Sequence, residues 1–260
     1  MNFKIILSFL IFNTAIGQNT KEVTELVYLN YKYSDLDTES MDHLYLTDNG
    51  NRALYISGKR SKINSSKKEQ GDVVIKLPSG NGDHIYLNDT TKDSVFYKTS
   101  VMDAVFYVKE KMPELNWKLV DEFKDFEGIR LQKAVTSFRG RHYTAWCDLD
   151  TPVSAGPWKL SNLPGLAYEV SDDHKEFYYE WYLVRINRKA EVNLEAYDLD
   201  RSKMVNLKEF VSRRDALYTD SGTAGSIRSA NIPGMEAVEG SVETIDHRVR
   251  SNEIIYEWEK

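Results

Sequence analysis

The sequence has little cysteine and no strong excess of positive charge. Cys147 is the single cysteine among 260 residues, so no intramolecular disulfide can form and stability must come from packing. A formal net charge of −6 argues against nucleic acid as a partner, because phosphate binding depends on clustered Lys and Arg. After the N-terminus, no apolar run approaches the ~18 residues that a membrane helix needs. We therefore expect a protein that does not span the membrane.

The sequence also lacks the motifs of common enzyme classes. It contains no Gly-x-Ser-x-Gly elbow and no phosphate-binding glycine loop. Its five histidines are scattered without the spacing of a zinc site. Cys147 follows His142 by five positions in one predicted strand, which places the two on opposite faces and favours a buried, unreactive thiol over a nucleophile. We predict no catalytic residues, no metal site and no cofactor.

Residues 1–17 have the order of a secretory signal peptide. Lys4 precedes an apolar core at residues 5–12, and Ala15 and Gly17 are small residues at the positions that signal peptidase recognises. Cleavage is expected before Gln18. We expect an exported chain that is periplasmic or extracellular.

Short strands rich in Tyr and Val recur along the chain. Residues 26–33 alternate, which predicts a half-buried strand with Val27, Leu29, Tyr31 and Tyr33 on its buried side and Asn30 and Lys32 opposite. The Asn49-Gly50 pair between residues 44–46 and 54–56 predicts a hairpin. Further strands are expected at residues 73–77, 84–87, 95–97, 104–108 and 117–120, with a turn at 78–82. This pattern predicts a mainly β (α+β) fold, a large curved antiparallel sheet or incomplete barrel with one or two short helices.

One helix is predicted late in the chain. Asn206 can cap its first turn together with Glu209, and an apolar face follows at Leu207, Phe210, Val211 and Leu217. A flexible segment is expected near 221–232, beginning with a loop at 221–226. Residues 254–258 are predicted as a last strand that returns to the sheet. The sequence shows no tandem repeat and no domain linker, so 18–260 are expected to form a single β-rich domain.

Five short pieces between residues 128 and 170 form a recognisable pattern: Gln132-Lys133-Ala134, Phe138-Arg139-Gly140-Arg141, Tyr143-Thr144-Ala145-Trp146, Gly156-Pro157-Trp158-Lys159 and Leu163-Pro164-Gly165-Leu166. Together they resemble the signature of the GLPGLI family of exported bacterial proteins. Asn162 stands where the family motif has its first glycine, Ala167 where it has isoleucine, and Leu131 where many relatives have cysteine. The resemblance implies a location in the Gram-negative envelope and association with outer-membrane uptake systems, but no established reaction.

Arg139-Gly140-Arg141 is predicted to turn a hairpin between strands at 129–138 and 142–149, with both arginines projecting from its tip. Two interpretations stay open. The guanidinium groups bind an anion or a peptide carboxylate, or they are structural charges of the turn, either solvated or paired with Asp148 and Asp150.

The Pro and Gly residues between 156 and 166 predict corners that steer the chain across the mouth of the sheet. Trp158 and Leu163 are expected to plug the core there, and the loop could also cover a ligand. The candidate ligand-binding residues are Arg139, Arg141, Trp146, Trp158, Leu163 and Pro164.

Two functions from different classes follow. The first is a non-enzymatic exported accessory protein that binds a peptide, an apolar ligand or an envelope or outer-membrane protein partner. The second is a secreted, peptidase-like hydrolase, which requires a cleft where a histidine, a carboxylate and a nucleophile converge. Metal handling is a weaker third alternative.

Overall fold

A computed structural model describes most of the chain outside the N-terminal segment. The predicted signal peptide at 1–17, the strand at 73–77 and the turn at 78–82 lie outside the described residues. For residues 219–230 only the backbone is described. The described ranges are 21–33, 37–47, 50–62, 84–174, 177–192, 199–230, 248 and 251–260.

The fold is mainly β, as the sequence predicts, with one α-helix in the described part. The strands are β1 Lys21–Tyr33, β2 Thr38–Thr47, β3 Arg52–Ile56, β4 Ser61–Lys62, β5 Ile85–Asp89, β6 Ser94–Val101, β7 Ala104–Lys111, β8 Lys118–Phe126, β9 Ile129–Phe138, β10 Arg141–Asp148, β11 Leu166–Asp172, β12 Tyr178–Val192 and β13 Met204–Asn206, and the helix is α1 Leu207–Ala230. They form one open sheet in the order β13-β7-β6-β5-β3-β2-β1-β12-β11-β10-β9-β8, and β4 pairs with β2 beside this path.

Two antiparallel meanders build the sheet. The first runs from β1 to β7 and the second from β8 to β12, and the long antiparallel pairing of β1 with β12 joins them. Short β13 adds to β7 in parallel. The predicted hairpin between 44–46 and 54–56 is confirmed as the β2–β3 pair, although its turn residues 48–49 lie outside the described part.

The sheet curls strongly, and the side chain of Trp158 shows by how much. Its indole lies 6.4 Å from the ring of Tyr86 on β5 and 5.8 Å from the ring of Phe138 on β9. These strands are seven neighbours apart, which in a flat sheet would separate them by roughly 34 Å at ~4.8 Å per strand. Both rings reach one indole because the sheet wraps around it, as expected for an incomplete barrel. We call the face that Trp158 packs on the inner face.

The helix prediction is confirmed at its N-terminus. The Glu209 backbone N–H donates to Asn206 Oδ1 at 2.9 Å, which caps the first turn. Leu207, Phe210 and Val211 are buried against β6 and β7. The loop expected at 221–226 is wrong, because α1 continues to Ala230; a glycine inside a helix costs only about 1 kcal/mol.

Two further expectations are corrected. Residues 254–258 do not form a strand, since the C-terminal segment ends in a 3₁₀ turn at Glu257–Glu259. On β1 the predicted faces are reversed near its end: Asn30 is 2% exposed on the inner face, whereas Tyr31 and Tyr33 are only half-buried. Asn30 tolerates burial because its Nδ2 donates to the Asp42 carboxylate at 2.6 Å.

Candidate functional site

The loop of residues 151–165 crosses the inner face and is held by its own backbone. The Leu163 N–H donates to Ser154 O and the Leu166 N–H to Thr151 O, each at 3.0 Å. Asn162 has φ 58, a left-handed conformation that Asn accepts more readily than most residues. Gly165 is required for a different reason, because a Cβ there would lie 2.1 Å from the Asp148 carbonyl oxygen. The loop is therefore preorganised.

This loop plugs the core, as the sequence predicts. Trp158 and Leu163 are each 4% exposed and belong to the largest buried apolar cluster. Besides the rings of Tyr86 and Phe138, a third ring, that of Tyr143, lies 6.5 Å from the indole of Trp158. The Trp158 carbonyl accepts from Asn88 Nδ2 at 3.2 Å. The indole is thus fixed by both meanders.

Four buried charged residues bridge the inside of the sheet next to Trp158. We call Glu110, Arg139, Lys159 and Glu253 the ion cluster. Arg139 Nη2 lies 2.8 Å from Glu110 Oε2, and Lys159 Nζ lies 3.0 Å from Glu253 Oε1. The other two ion pairs, Arg139 with Glu253 and Lys159 with Glu110, are also formed. All four side chains are less than 10% exposed. Each buried charge is therefore stabilised by the opposite charges of the cluster and not by water.

The ion cluster connects parts of the chain that are far apart in the sheet. Glu110 lies near the end of β7 and Arg139 begins the β9–β10 turn, and β7 and β9 are nine strand neighbours apart. Glu253 comes from the C-terminal segment. Burial alone would raise the pKa of the Glu253 carboxyl, but Lys159 and Arg139 outweigh burial and hold that pKa below its ordinary value of 4.5. Glu253 is therefore ionised at neutral pH.

The C-terminal segment 251–260 docks on the β9–β10 hairpin. The Ile254 N–H donates to Arg139 O at 2.8 Å, and Tyr143 Oη donates to Asn252 O at 3.2 Å. Tyr256 is fully buried, and its hydroxyl accepts from Arg214 Nη1 of α1 at 2.9 Å. The segment thus links the helix to the second meander.

The hairpin at Arg139-Gly140 is confirmed, with φ 44 and 88 at the two turn residues, but its arginines do not project into solvent. Arg139 is 9% exposed and belongs to the ion cluster. Arg141 is 1% exposed, and its Nη1 donates to Asp172 Oδ1 at 2.8 Å. The predicted pairing with Asp148 and Asp150 is wrong. The C-terminal segment covers the hairpin tip, and the arginines pair with other carboxylates, Arg139 with Glu110 and Glu253 and Arg141 with Asp172.

A cavity of about 230 Å³ opens on the inner face beside the ion cluster. We call it the inner pocket. Its floor is a row of side chains that are direct cross-strand neighbours, Tyr55 on β3, Tyr86 on β5 and Tyr97 on β6. Stacked Tyr179 and Trp181 of β12 form one wall, with ring centroids 5.6 Å apart. The ring-rich lining is typical of a small-molecule site.

Polar groups also face this pocket. Tyr97 Oη, Asn30 Oδ1 and Arg60 Nη1 are buried atoms that have no hydrogen-bond partner among the described residues. Burial raises the pKa of the Tyr97 hydroxyl well above its ordinary value, so the group stays neutral and can donate. Buried polar atoms left without partners are uncommon and costly, so they mark places where a ligand could bond.

A buried carboxylate supports one end of the floor. Asp42 is fully buried and accepts from Ser40 Oγ at 2.8 Å, from the Gly58 N–H at 2.9 Å, and from the Tyr55 hydroxyl. Trp181 Nε1 donates to Tyr55 Oη at 3.3 Å. The network orients the Tyr55 ring and the Trp181 indole toward the pocket.

Five of the six candidate ligand-binding residues lie outside the lining of the inner pocket. Of the six, Trp158 lines the inner pocket. Trp146 is half-buried on the opposite face, where Lys124 Nζ lies 4.6 Å from its ring. Leu163 is core, and Pro164 is half-buried in the loop. Sequence analysis missed Arg60, Tyr97, Lys159, Glu110 and Glu253; only Lys159 had a signal, because it follows Trp158 in the Gly-Pro-Trp-Lys piece.

Cys147 and His142 lie as predicted. The thiol is fully buried, whereas His142 is exposed on the opposite side of β10. Burial raises the pKa of the Cys147 thiol to about 12, which makes it a poor nucleophile. Within the described ranges, no three His, Cys, Asp or Glu side chains meet as they would around a metal ion.

A second, larger cleft of about 560 Å³ lies at the strand ends near Val153 and Thr47. Its charged residues Glu22 and Arg188 are exposed. Among described residues, its lining carries no buried polar atom without a partner. The inner pocket is therefore the better candidate site.

No protein-family model matches this chain, and no curated protein matches it in sequence. Among solved structures, the chain is similar to PNGF-II in a C2 crystal form, with 14% identity and TM-score 0.44, and in a P21 form, with 13% identity and TM-score 0.43. Each match covers 75% of this chain and 34% of PNGF-II, so this chain spans about a third of that protein. It is also similar to an uncharacterized conserved protein from Thermus thermophilus, with 8% identity and TM-score 0.38, over 71% of this chain and 90% of that one. No helix in the described part of the chain is both long and apolar enough to cross a bilayer.

Proposed function

We propose that this chain is a non-enzymatic accessory protein of the Gram-negative envelope, exported by its N-terminal segment, whose inner pocket binds a small ligand or a peptide end. The observation that carries the proposal is the pocket itself, where a floor of tyrosine rings meets buried polar atoms without partners among the described residues. Association with an outer-membrane uptake protein is part of the proposal through the resemblance to the GLPGLI family.

The backbone of the loop supports that resemblance. Asn162, which replaces the first glycine of the family motif, has positive φ, and a glycine would adopt this conformation without strain. Gly165, at the second glycine position, has no room for a side chain. Both motif positions therefore have a physical reason to be glycine or a residue that tolerates the same backbone.

A hydrolase is the second candidate, because one histidine and one hydroxyl meet at the inner pocket. His84 Nδ1 lies 2.8 Å from Thr99 Oγ1, and both residues line the cavity together with Glu253. A catalytic triad would need a carboxylate on the other ring nitrogen of His84, whereas Glu253 is bound to Lys159 and Arg139. This pairing favours binding over catalysis.

Native mass spectrometry of the processed protein tests the proposal. The full chain is expressed with its own N-terminus, purified from the periplasmic fraction and incubated with envelope extract. We expect cleavage before Gln18 and a retained ligand that is lost in Ser57→Trp, which fills the pocket from a buried lining position. Ser137→Trp, at an exposed position of β9 outside the lining of the pocket, should retain it. An unprocessed cytoplasmic chain, or equal retention by Ser57→Trp, would contradict the proposal; hydrolysis abolished by Thr99→Val would favour the second candidate.

A further inference from the structure

Arg60 is the cation of the inner pocket that is best placed to pair with a ligand. Lys159 is neutralised within the ion cluster, and Arg214 is bound by Asp215 at 2.8 Å. Arg60 differs from both, because its Nη1 is buried yet has no hydrogen-bond partner in the described part of the chain. A guanidinium group binds carboxylate oxygens well because its N–H donors form a planar fork.

Arg60 sits at a ring-lined end of the pocket. Its guanidinium carbon lies 5.9 Å from the ring centroid of Tyr179, which stacks on Trp181. Lys32 Nζ lies 5.7 Å from the same centroid and adds positive charge at this end. An anionic group bonded to Arg60 would therefore place the rest of its molecule against these rings. This end of the pocket thus offers a ligand both a positive charge, from Arg60, and aromatic rings, from Tyr179 and Trp181.

The lining also offers neutral hydrogen-bonding groups, one at the far end of the tyrosine floor and one on β1 beside Trp181. Tyr97 Oη can donate or accept, and Asn30 Oδ1 can accept. The Glu253 carboxylate lines the same cavity and would repel a second negative charge. The lining therefore fits a monoanion with a neutral hydrogen-bonding group at some distance from its charge.

The size of the pocket limits the ligand. A volume of about 230 Å³ corresponds to roughly eight water molecules at ~30 Å³ each. This is room for one amino-acid-sized unit and not for an extended chain. The end of a peptide would fit, with the preceding residues leaving through the opening.

We propose that the inner pocket binds a small carboxylate with an aromatic or apolar body, such as the C-terminal residue of a peptide. Arg60 pairs with the carboxylate, Tyr179 and Trp181 pack on the body, and Tyr97 bonds the neighbouring amide. This proposal adds the ligand class to the proposed function. It rests on that function only for the premise that the inner pocket binds a ligand.

Isothermal titration with N-acetylphenylalanine and with N-acetylphenylalanine amide tests the charge requirement on the unmodified protein. The two probes differ only in the carboxylate. We expect the acid to bind at least tenfold more tightly than the amide, and acetate, which lacks the ring, to bind at least tenfold more weakly than the acid. Equal binding of acid and amide would overturn the carboxylate assignment and leave the proposed binding function intact, as would binding of neither probe by a protein that retains another small molecule from envelope extract.

Arg60→Gln tests the residue. Its expected effect is a loss of at least tenfold for the acid with no change for the amide, because the variant removes the charge and leaves the rings. Arg130→Gln is the matched control, since Arg130 is exposed on β9 and its guanidinium carbon lies 4.1 Å from the ring of Phe123; it should bind both probes like the wild type. Unchanged acid binding by Arg60→Gln would overturn the assignment. Should Arg60→Gln fail to fold, the comparison of the two probes on the wild type still decides the ligand class.

Discussion

Glu253→Gln is the change that probes the ion cluster most directly. Glutamine keeps the shape of the side chain but removes the charge that neutralises Arg139 and Lys159. Breaking a buried ion pair by neutralising one partner costs about 3–5 kcal/mol. Glu110 still pairs with both cations, so we expect the lower end, about 3 kcal/mol of unfolding free energy.

Glu257→Gln is a matched control. Glu257 also bonds Arg139, at 3.0 Å from Nε, but its side chain is 59% exposed, and an exposed ion pair contributes about 1 kcal/mol or less. Urea denaturation at pH 7 should separate the two variants. With a slope of about 3 kcal/mol per molar urea, Glu253→Gln should lower the midpoint by roughly 1 M, and Glu257→Gln should lower it by about a third of that or less. Equal shifts would refute the claim that burial determines the contribution.

The difference in stability between the wild type and Glu253→Gln should also depend on pH. Because the pKa of Glu253 is lowered by folding, its stabilisation is fully present above the unfolded value of 4.5 and is lost as the pH falls through the folded pKa. The difference should stay constant from about pH 8 to 6 and shrink below about pH 4.5. A difference that grows on acidification would contradict the sign of this shift.

Three other experiments test the core and the loop of residues 151–165. Trp158→Ala should cost about 3–5 kcal/mol in chemical denaturation, because the indole contacts both meanders; a cost below about 1 kcal/mol would contradict its bridging role. Gly165→Ala should cost about 3 kcal/mol of unfolding free energy, because the added Cβ clashes with the Asp148 carbonyl. Gly128→Ala, at a position with open space and φ 83, should cost about 1–2 kcal/mol. The reverse order would contradict the close packing of Gly165 against Asp148. Cys147 should resist alkylation at pH 8 in the folded protein and react once urea unfolds it, as mass spectrometry can measure; rapid labelling of the native chain would show that the thiol is not buried.

Much of the fold could be predicted from local patterns. The Asn-Gly pair at 49–50 and Gly140 identified hairpins because tight turns require positive φ, and Asn206 identified the start of α1 because its side chain caps free amides. The pairing of β1 with β12 had no local signal. It joins segments more than 140 residues apart, and strand alternation says which residues share a face but not which strands become neighbours.

The candidate site was harder to predict, because its residues are brought together only by the curl of the sheet. Arg139 was recognised, but its surroundings were not, since Glu110 and Glu253 lie 29 residues before it and 114 residues after it. Asn30 was assigned to the solvent side because polar residues usually face water, and only the buried Asp42 explains its position. Tyr97 is an ordinary strand tyrosine in sequence, and its missing partner among the described residues is visible only in three dimensions.

A crystal structure of the processed protein grown with N-acetylphenylalanine tests the central claim most directly. We expect electron density for the probe between Trp181 and Tyr97, with its carboxylate within hydrogen-bond distance of Arg60 and the ion cluster intact beneath it. An inner pocket filled by the protein's own chain, or a probe bound only outside the curled sheet, would contradict the account.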